Sequence, residues 1–583
     1  MFNTLLKTDF YKCCHMLQYD DSVTHFTSYL TPRSSRFNTI DNMVFFGLSN
    51  FIQKYLVEDF SITFFNKDFP SIKKEFEEVL KCGLLYDEEL INKTLIKVWQ
   101  LHTLGYLPIE INALPEGTIC PMGVPAIEIR STHEDFAWVA QAIESLLSCS
   151  IWHPCISATI AHEYAKIVSK AYAKTVDNGN YKNGCCDFSL RGQESYESAL
   201  ISGVAFLTSF NNCSTVETRE LIRTTYLDKE VTNVFGLTST EHSVMCTDMA
   251  IYNSEEHIIK KLLTETYRNI NFSLVADSRD FWHLVTEILP TLKEEIENHK
   301  GFIGIRHDSD EPVHALCGIR CINLNDILVC DEEVNSFEDF EDLAYEIIND
   351  DFRFTKKEER VYIEYTFGNK NYHGVFDVIP YVAEVDTDGC EWIRYEINLL
   401  EEERTPEDKG LVEVLYELFG GEKNDKGYIV VNPKVKAVYG DSITIPRAKE
   451  IYNRLEKKGF AANNVSLGVG SFSMECLEED GVLKPFTRDS FSIAVKATYG
   501  RKRIANGEVG FPIFKDPKGC EGKKSLKGLC RVVKEDGEFK VIQNLTEETY
   551  NAYQTHEMVN YFKDGKPIKY SFEDVRNRLE EAI

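Results

Sequence analysis

The 583-residue chain holds 43% hydrophobic and 27% charged residues, ordinary globular usage, and no stretch approaches the roughly 18 to 20 unbroken apolar residues of a membrane span. Its 64 Lys and Arg stand against 93 Asp and Glu, a net charge of −29, which disfavours a broad basic surface for nucleic acid or anionic lipid. A phosphate site in such a chain has to be a concentrated exception.

Taken in chain order, apolar periodicity gives helices over residues 135–148, 193–209 and 254–267, strands over 272–276, 302–306 and 436–439, a helix over 446–458, and strands over 465–468 and 491–496. Short β-branched runs alternating with helical stretches, from about residue 158 to 306 and again from 434 to 498, are the pattern of parallel strands joined by crossover helices. The class is α/β. Between these blocks the texture changes: residues 321–410 hold 25 acids against 8 bases, marking an insertion. Strand-like runs at 361–367 and 374–385 and a helical run at 411–419 make it a small α+β subdomain. No repeat or low-complexity tract is visible.

The 17 cysteines are scattered and odd in number, without a C-x-x-C, and read as reduced intracellular thiols. The opening MFNTLLKTDFYK lacks the pattern of a secretory or transit leader, so cytoplasmic residence is expected.

Polar or glycine turns follow four of the expected strands: Asp277-Ser278, Arg306 to Asp310, Gly440-Asp441-Ser442, and Gly468 to Ser471. Ligands of α/β sheets and barrels sit at strand C-termini, where such loops converge, so four turns in succession point to one site. Gly468-Val469-Gly470-Ser471 resembles a phosphate cradle, because glycines let backbone N–H groups approach oxygens closely. Arg306 and Asp308 pair a guanidinium suited to phosphate with a carboxylate suited to ribose hydroxyls or a metal-bound water; a structural ion pair fits the segment equally well. The cationic exception lies late in the chain, from Arg488 and Lys496 through Arg501, Lys502 and Arg503 to Lys515, Lys518, Lys523, Lys524 and Lys527. It suits a polyphosphate ligand or a solvated basic face. Gly522-Lys523-Lys524-Ser525 fails as a P-loop, and His162-Glu163 fails as a zinc motif because Lys166 replaces the second histidine. Glu241-His242-Ser243 pairs a histidine with a carboxylate, as a general base, a phosphoryl acceptor or a plain helix cap.

Taken together the chain resembles the nicotinamide phosphoribosyltransferase family, type II phosphoribosyltransferases of NAD salvage. The resemblance runs through Thr8-Asp9-Phe10-Tyr11-Lys12, Leu107 to Ile111, Asp187-Phe188 with Arg191-Gly192, Glu241-His242-Ser243, Asp277-Ser278, Arg306 with Asp308-Ser309, Gly440-Asp441, Thr487-Arg488-Asp489, Phe514 to Pro517 and Phe562 to Lys566. It implies an irregular (β/α) barrel with an N-terminal α+β domain, to which the charge pattern adds the acidic inserted α+β subdomain. The implied domains are 1–155, with the C-terminal segment packing on it; 156–317 with 427–500 as the barrel; 318–426 as the insertion; and 501–583 as a C-terminal segment with a basic phosphate-site loop.

The implied reaction joins nicotinamide to 5-phosphoribosyl pyrophosphate, with Mg²⁺ carried mainly on pyrophosphate and ATP as co-substrate through a phosphohistidine at His242 beside Glu241. By the same resemblance Phe188 and Tyr11 sandwich the ring, with Asp9 nearby, and Tyr11 comes from the partner subunit of a head-to-tail homodimer with interface active sites. Arg191 holds the carboxamide. Arg33, Arg488, Lys496 and Lys523 belong to the polyphosphate region. Asp277, Arg306 and Asp308 line the ribose, and Gly440, Asp441, Gly470 and Ser471 hold the 5′-phosphate. No nucleic acid or membrane partner is implied.

Five departures bear on chemistry. Ser214 stands where the family has the acid that selects amide over acid, which opens nicotinate as the alternative substrate. Ser471 and Phe472 replace cradle glycines, Ala494 replaces a phosphate-facing serine, and Arg279 and Asp310-Glu311 replace Tyr and Gly-Asn. The altered cradle also admits a catalytically degenerate homologue that binds a phosphosugar or nucleotide.

Overall fold

The computed structural model describes residues 2–228, 230–231, 234–327, 334, 336–351, 359–367, 370–385, 391–400, 403–440, 442–516, 525–553 and 555–583. The chain forms two compact units: Met1–Glu163 with Ser189–Phe235 and Ser471–Ile583, and Tyr164–Phe188 with Gly236–Gly470. Residues 189–235 and 471–500, expected within the barrel, therefore group with the N-terminal unit.

In the second unit five parallel strands lie side by side in the order Cys185–Asp187, Val465–Val469, Val435–Tyr439, Ile303–His307, Phe272–Val275. The register sets Arg306 beside Val275 and Val438, and Leu467 beside Cys185. Phe272–Val275 is buried at all four positions, as befits parallel strands covered on both faces and rich in apolar residues. Helices Glu255–Lys261 and Ile445–Lys457 supply crossovers; the latter starts with Thr444 accepting from the Arg447 N–H and Pro446 in its first turn. The arrangement is a mixed α/β fold with a parallel half-barrel sheet.

The acidic insertion has its own core. Strands Arg320–Asn323, Glu359–Phe367, Lys370–Val385 and Glu391–Leu400 form one sheet, and helix Phe337–Asp351 packs Phe340, Ala344 and Ile348 onto Val361, Ile363 and Phe376. On that helix Glu338, Asp339, Asp342 and Glu346 are exposed, the solvated complement of the packed face.

The first unit is built on a seven-stranded antiparallel sheet that the sequence pattern does not reveal: Gly507–Pro512, Ala494–Ile504, Val23–Thr31, Ile127–Ser131, Ile109–Ala113, Val559–Lys563, Lys566–Pro567. The strand expected over 491–496 begins instead at Ala494 and pairs antiparallel with Val23–Thr31, Lys496 opposite Tyr29. A capping box between Thr487 and Ser490 turns the chain just before it, and an apolar run alone does not distinguish parallel from antiparallel pairing. The helix expected over 135–148 is broken into Glu134–Phe136, Val139–Ala142 and a long helix Glu144–Thr175. Among the described residues no helix is long and apolar enough to cross a membrane.

Candidate active site

Four sequence-expected residues of the second unit meet at the C-terminal ends of two adjacent strands. Asp277 follows Phe272–Val275, Arg306 and Asp308 lie at the end of Ile303–His307, and His242 opens helix His242–Tyr252. The Asp277 carboxylate is 4% exposed and saturated: one oxygen accepts from the Asp308 N–H at 3.0 Å, the Ser309 N–H at 2.9 Å and the Ser309 hydroxyl at 2.7 Å. The other faces His242 Nε2 at 3.2 Å. Burial alone pushes its pKa up, but these donors and the imidazoles of His307 and His242 outweigh burial and hold it below the ordinary carboxylate value. Asp277 is thus a charged hub that fixes both the 308–309 turn and the His242 ring.

Arg306 donates to the Ser239 hydroxyl at 2.9 Å and to Asp308 at 3.1 Å. That leaves Asp308 Oδ1 buried without a hydrogen-bond partner, and a Cβ at position 440 would overlap that same oxygen. Glycine at 440 is therefore required by the close approach of the Gly440 turn to Asp308. Tyr439 donates its hydroxyl to the carbonyls of Ser309 and Asp310, each at 2.7 Å, and stacks on buried His307 with an interplanar angle of 7°. Burial lowers the His307 pKa, and its Nδ1 accepts from the Ser309 N–H at 3.1 Å. Asp310 sits at φ +68°, a left-handed position that glycine adopts freely and that costs a side chain about 1 kcal/mol. Sequence reasoning assigns no role to Tyr439, Ser239 or Ser309; their contacts span up to 130 positions, with no local signal.

Glu241, expected beside His242, directs its carboxylate to the Ser243 hydroxyl, while the histidine takes Asp277. Phe188 follows Cys185–Asp187, donates its N–H to the Val469 carbonyl at 2.9 Å, and lays its ring over Gly468, where a Cβ would come within 2.5 Å of it.

Within the first unit, Arg191 is exposed in the turn Leu190–Gly192, and a Cβ at Gly192 would overlap Ser471 Oγ. Ser214 is half-buried. Its loop is pinned by Arg576, 2% exposed, which donates to the carbonyls of Leu207 and Phe210 and to Asn211 Oδ1. Asp9 and Tyr11 line one cavity with Lys12, Glu144, Ser145 and Arg488; Asp9 accepts from Ser145 at 2.7 Å, and Glu144 bridges Lys12 at 2.8 Å and Lys496 at 3.5 Å. Arg33 donates from Nε to the Ser492 carbonyl at 3.0 Å, and Arg488 meets Asp489 at 3.1 Å. Gly470 follows the Val465–Val469 strand. Asp441 and Lys523 lie outside the described residues.

An arginine-carboxylate pair at the end of one parallel strand and a second carboxylate at its neighbour, with an oriented histidine and a glycine turn against the free carboxylate oxygen, suits a phosphorylated sugar. Residues 3–111 match the profile described as nicotinamide phosphoribosyltransferase, N-terminal domain. Residues 184–369 and 398–553 match that of the nicotinate phosphoribosyltransferase (NAPRTase) family. A protein of Acinetobacter baylyi named nicotinamide phosphoribosyltransferase is 31% identical over all of this chain and 98% of its own length. One of the same name from Mycoplasma pneumoniae is 25% identical over 90% of this chain and 94% of its own. The crystal structure of nicotinate-nucleotide pyrophosphorylase from Pyrococcus furiosus superposes with a TM-score of 0.50 at 12% identity, covering 99% of this chain and 95% of that one, a likeness of fold. The chain is a phosphoribosyltransferase-class enzyme. It belongs to the nicotinate phosphoribosyltransferase (NAPRTase) family, and its residues 3–111 fit the nicotinamide phosphoribosyltransferase N-terminal domain.

Proposed function

We propose that the enzyme joins nicotinamide to 5-phosphoribosyl pyrophosphate, releasing nicotinamide mononucleotide and pyrophosphate, and so serves NAD salvage. The observation that carries this reading is the single hydrogen-bonded group of Arg306, Asp308, Asp277 and His242 at two adjacent strand ends. Full-length similarity to proteins named for that activity supports it.

In this reading Asp308 offers its unpartnered oxygen to the ribose hydroxyls or to a water on Mg²⁺, and the Arg306 guanidinium holds that carboxylate in place through its other oxygen. Magnesium, when bound, neutralises the pyrophosphate as it leaves. Phe188 and Tyr11 stack the ring, Tyr11 coming from the second subunit of a homodimer whose active sites lie at the interface; Asp9 orients that edge, and Arg191 donates to the carboxamide oxygen. Arg33, Arg488, Lys496 and Lys523 meet the pyrophosphate, and Gly440, Asp441, Gly470 and Ser471 the 5′-phosphate. His242, half exposed and held by Asp277, accepts the terminal phosphoryl group of ATP with release of ADP, beside Glu241, whose carboxylate takes the Ser243 hydroxyl. The compartment is the cytoplasm.

Nicotinate remains the second reading because Ser214 carries no charge to repel a carboxylate. Pyrophosphate release from the purified protein with phosphoribosyl pyrophosphate, Mg²⁺ and ATP is expected with nicotinamide and not with nicotinate. Preference for nicotinate would move the enzyme to the acid substrate, and silence with both would leave a binding homologue. Ser214→Asp should then raise the amide-to-acid ratio of kcat/KM about tenfold, the worth of one new charged hydrogen bond; an unchanged ratio would remove Ser214 from the selection of substrate.

A further inference from the structure

A hairpin of Cys476–Glu479 and Val482–Pro485 stands just before Thr487-Arg488-Asp489. It closes through Asp480 and Gly481, both at positive φ, 53° and 73°, the two-residue loop that suits the twist of paired strands. Its Glu479 side chain is 4% exposed and fully engaged. It accepts from the Asn38 N–H at 2.8 Å, the Thr39 N–H at 2.9 Å, the Thr39 hydroxyl at 2.6 Å and the Lys484 ammonium at 2.7 Å. Burial would raise its pKa, yet these donors bring it down to about 2. Lys484 in turn donates to the Arg36 carbonyl at 2.9 Å.

The hairpin therefore grips segment 36–39 from one side. From the other side the same segment is tied to the turn after Arg488. The Arg33 N–H donates to the Phe491 carbonyl at 3.0 Å and the Arg36 N–H to the Ser490 carbonyl at 2.9 Å. Asp489 lies between two guanidinium groups, Arg488 at 3.1 Å and Arg36 at 3.8 Å. Three arginines, Arg33, Arg36 and Arg488, are thus gathered around one turn, with Asp489 between two of them, in a chain that is acidic overall. The Lys484 charge is spent on Glu479, so it does not compete for an external anion. Planar forks grouped in this way recognise an anion with several oxygens better than scattered ammonium groups do.

We infer that Arg36 is a further binding residue for the pyrophosphate end of the phosphoribosyl donor, and that Glu479 is the positioning residue that holds it there. The inference rests on the proposed role of Arg33 and Arg488. Glu479 touches no substrate; it acts by fixing the 36–39 segment, so that the guanidinium groups are in place before the anion arrives.

The test is calorimetric titration of inorganic pyrophosphate with Mg²⁺ into the full-length protein, alongside steady-state kinetics in both substrates, for wild type, R36Q, E479A and R488Q. R36Q and E479A should each weaken pyrophosphate binding and raise the donor KM about tenfold, with kcat and the nicotinamide KM within about twofold of wild type. Combining them should add little, because both act through one contact. Pyrophosphate binding unchanged in R36Q but lost in R488Q would overturn the inference while leaving the proposed function standing. A wild type that binds no pyrophosphate and turns over neither substrate would overturn both. Should E479A fail to fold, K484M decides: it frees the Arg36 carbonyl, and a wild-type donor KM in it would count against the positioning role.

Discussion

Asp277→Asn is expected to lower kcat/KM for pyrophosphate release at least about a hundredfold, the scale at which misplaced catalytic groups lose rate. The carboxylate has two jobs that an amide does not do together. One oxygen takes three donors from Asp308 and Ser309, and the other holds His242. Asparagine has a single acceptor oxygen. If that oxygen faces Ser309, its NH₂ meets the His242 ring; if it faces His242, the NH₂ confronts two backbone N–H groups and the 308–309 turn loses its anchor. Asp308, whose free oxygen is aimed by that turn and by Arg306, moves in the second case. Steady-state assays of D277N, H242A and the double variant check the point. The two losses should be strongly non-additive, since each removes the same contact. A D277N enzyme within about threefold of wild type would show that neither the histidine nor the turn depends on the charge.

Asp277 also illustrates what sequence makes legible. The strands at 272, 303, 435 and 465 follow from the sequence to within about a residue because β-branched and aromatic runs of four or five residues admit few alternatives. The polar turns after them are readable for the same reason: Asp277, Asp308 and Gly440 interrupt an apolar pattern just where a strand has to stop. Cys185–Asp187, which sets Phe188, is three residues long and carries no periodicity to detect. The antiparallel sheet is hidden more deeply. One of its interior strands, Val23–Thr31, pairs with residues some 470 positions later, and only its tertiary setting separates Ala494–Ile504 from the parallel strands before it. Hydrogen-bond partners are the least visible layer. That Tyr439 holds Asp310, or Glu479 the Asn38 N–H, follows from how distant segments meet and from nothing in their spacing.

Arg576→Met should cost stability on the order of 3 kcal/mol, chiefly through the buried hydrogen bonds it removes. The guanidinium, carried on helix Phe572–Glu580, is the common donor to Leu207 O, Phe210 O and Asn211 Oδ1. Methionine fills much of the space but leaves those oxygens without that donor. Lysine keeps the charge yet offers one compact ammonium in place of a planar fork, so it should recover only part of the loss. The expected readout is a fall in Tm of a few degrees for a chain of this size, larger for methionine than for lysine. Position in the fold adds a second, independent consequence. Asn211 lies three residues before Ser214, so a loosened 207–211 segment should blur the choice between amide and acid, whereas the donor KM, which the proposal assigns to Arg33 and Arg488 on other segments, should hold. A destabilised R576M with an unchanged amide-to-acid ratio would confine Arg576 to stability and detach the Ser214 loop from substrate choice. A shift in that ratio in both R576M and R576K would tie helix Phe572–Glu580 to the proposed choice of substrate.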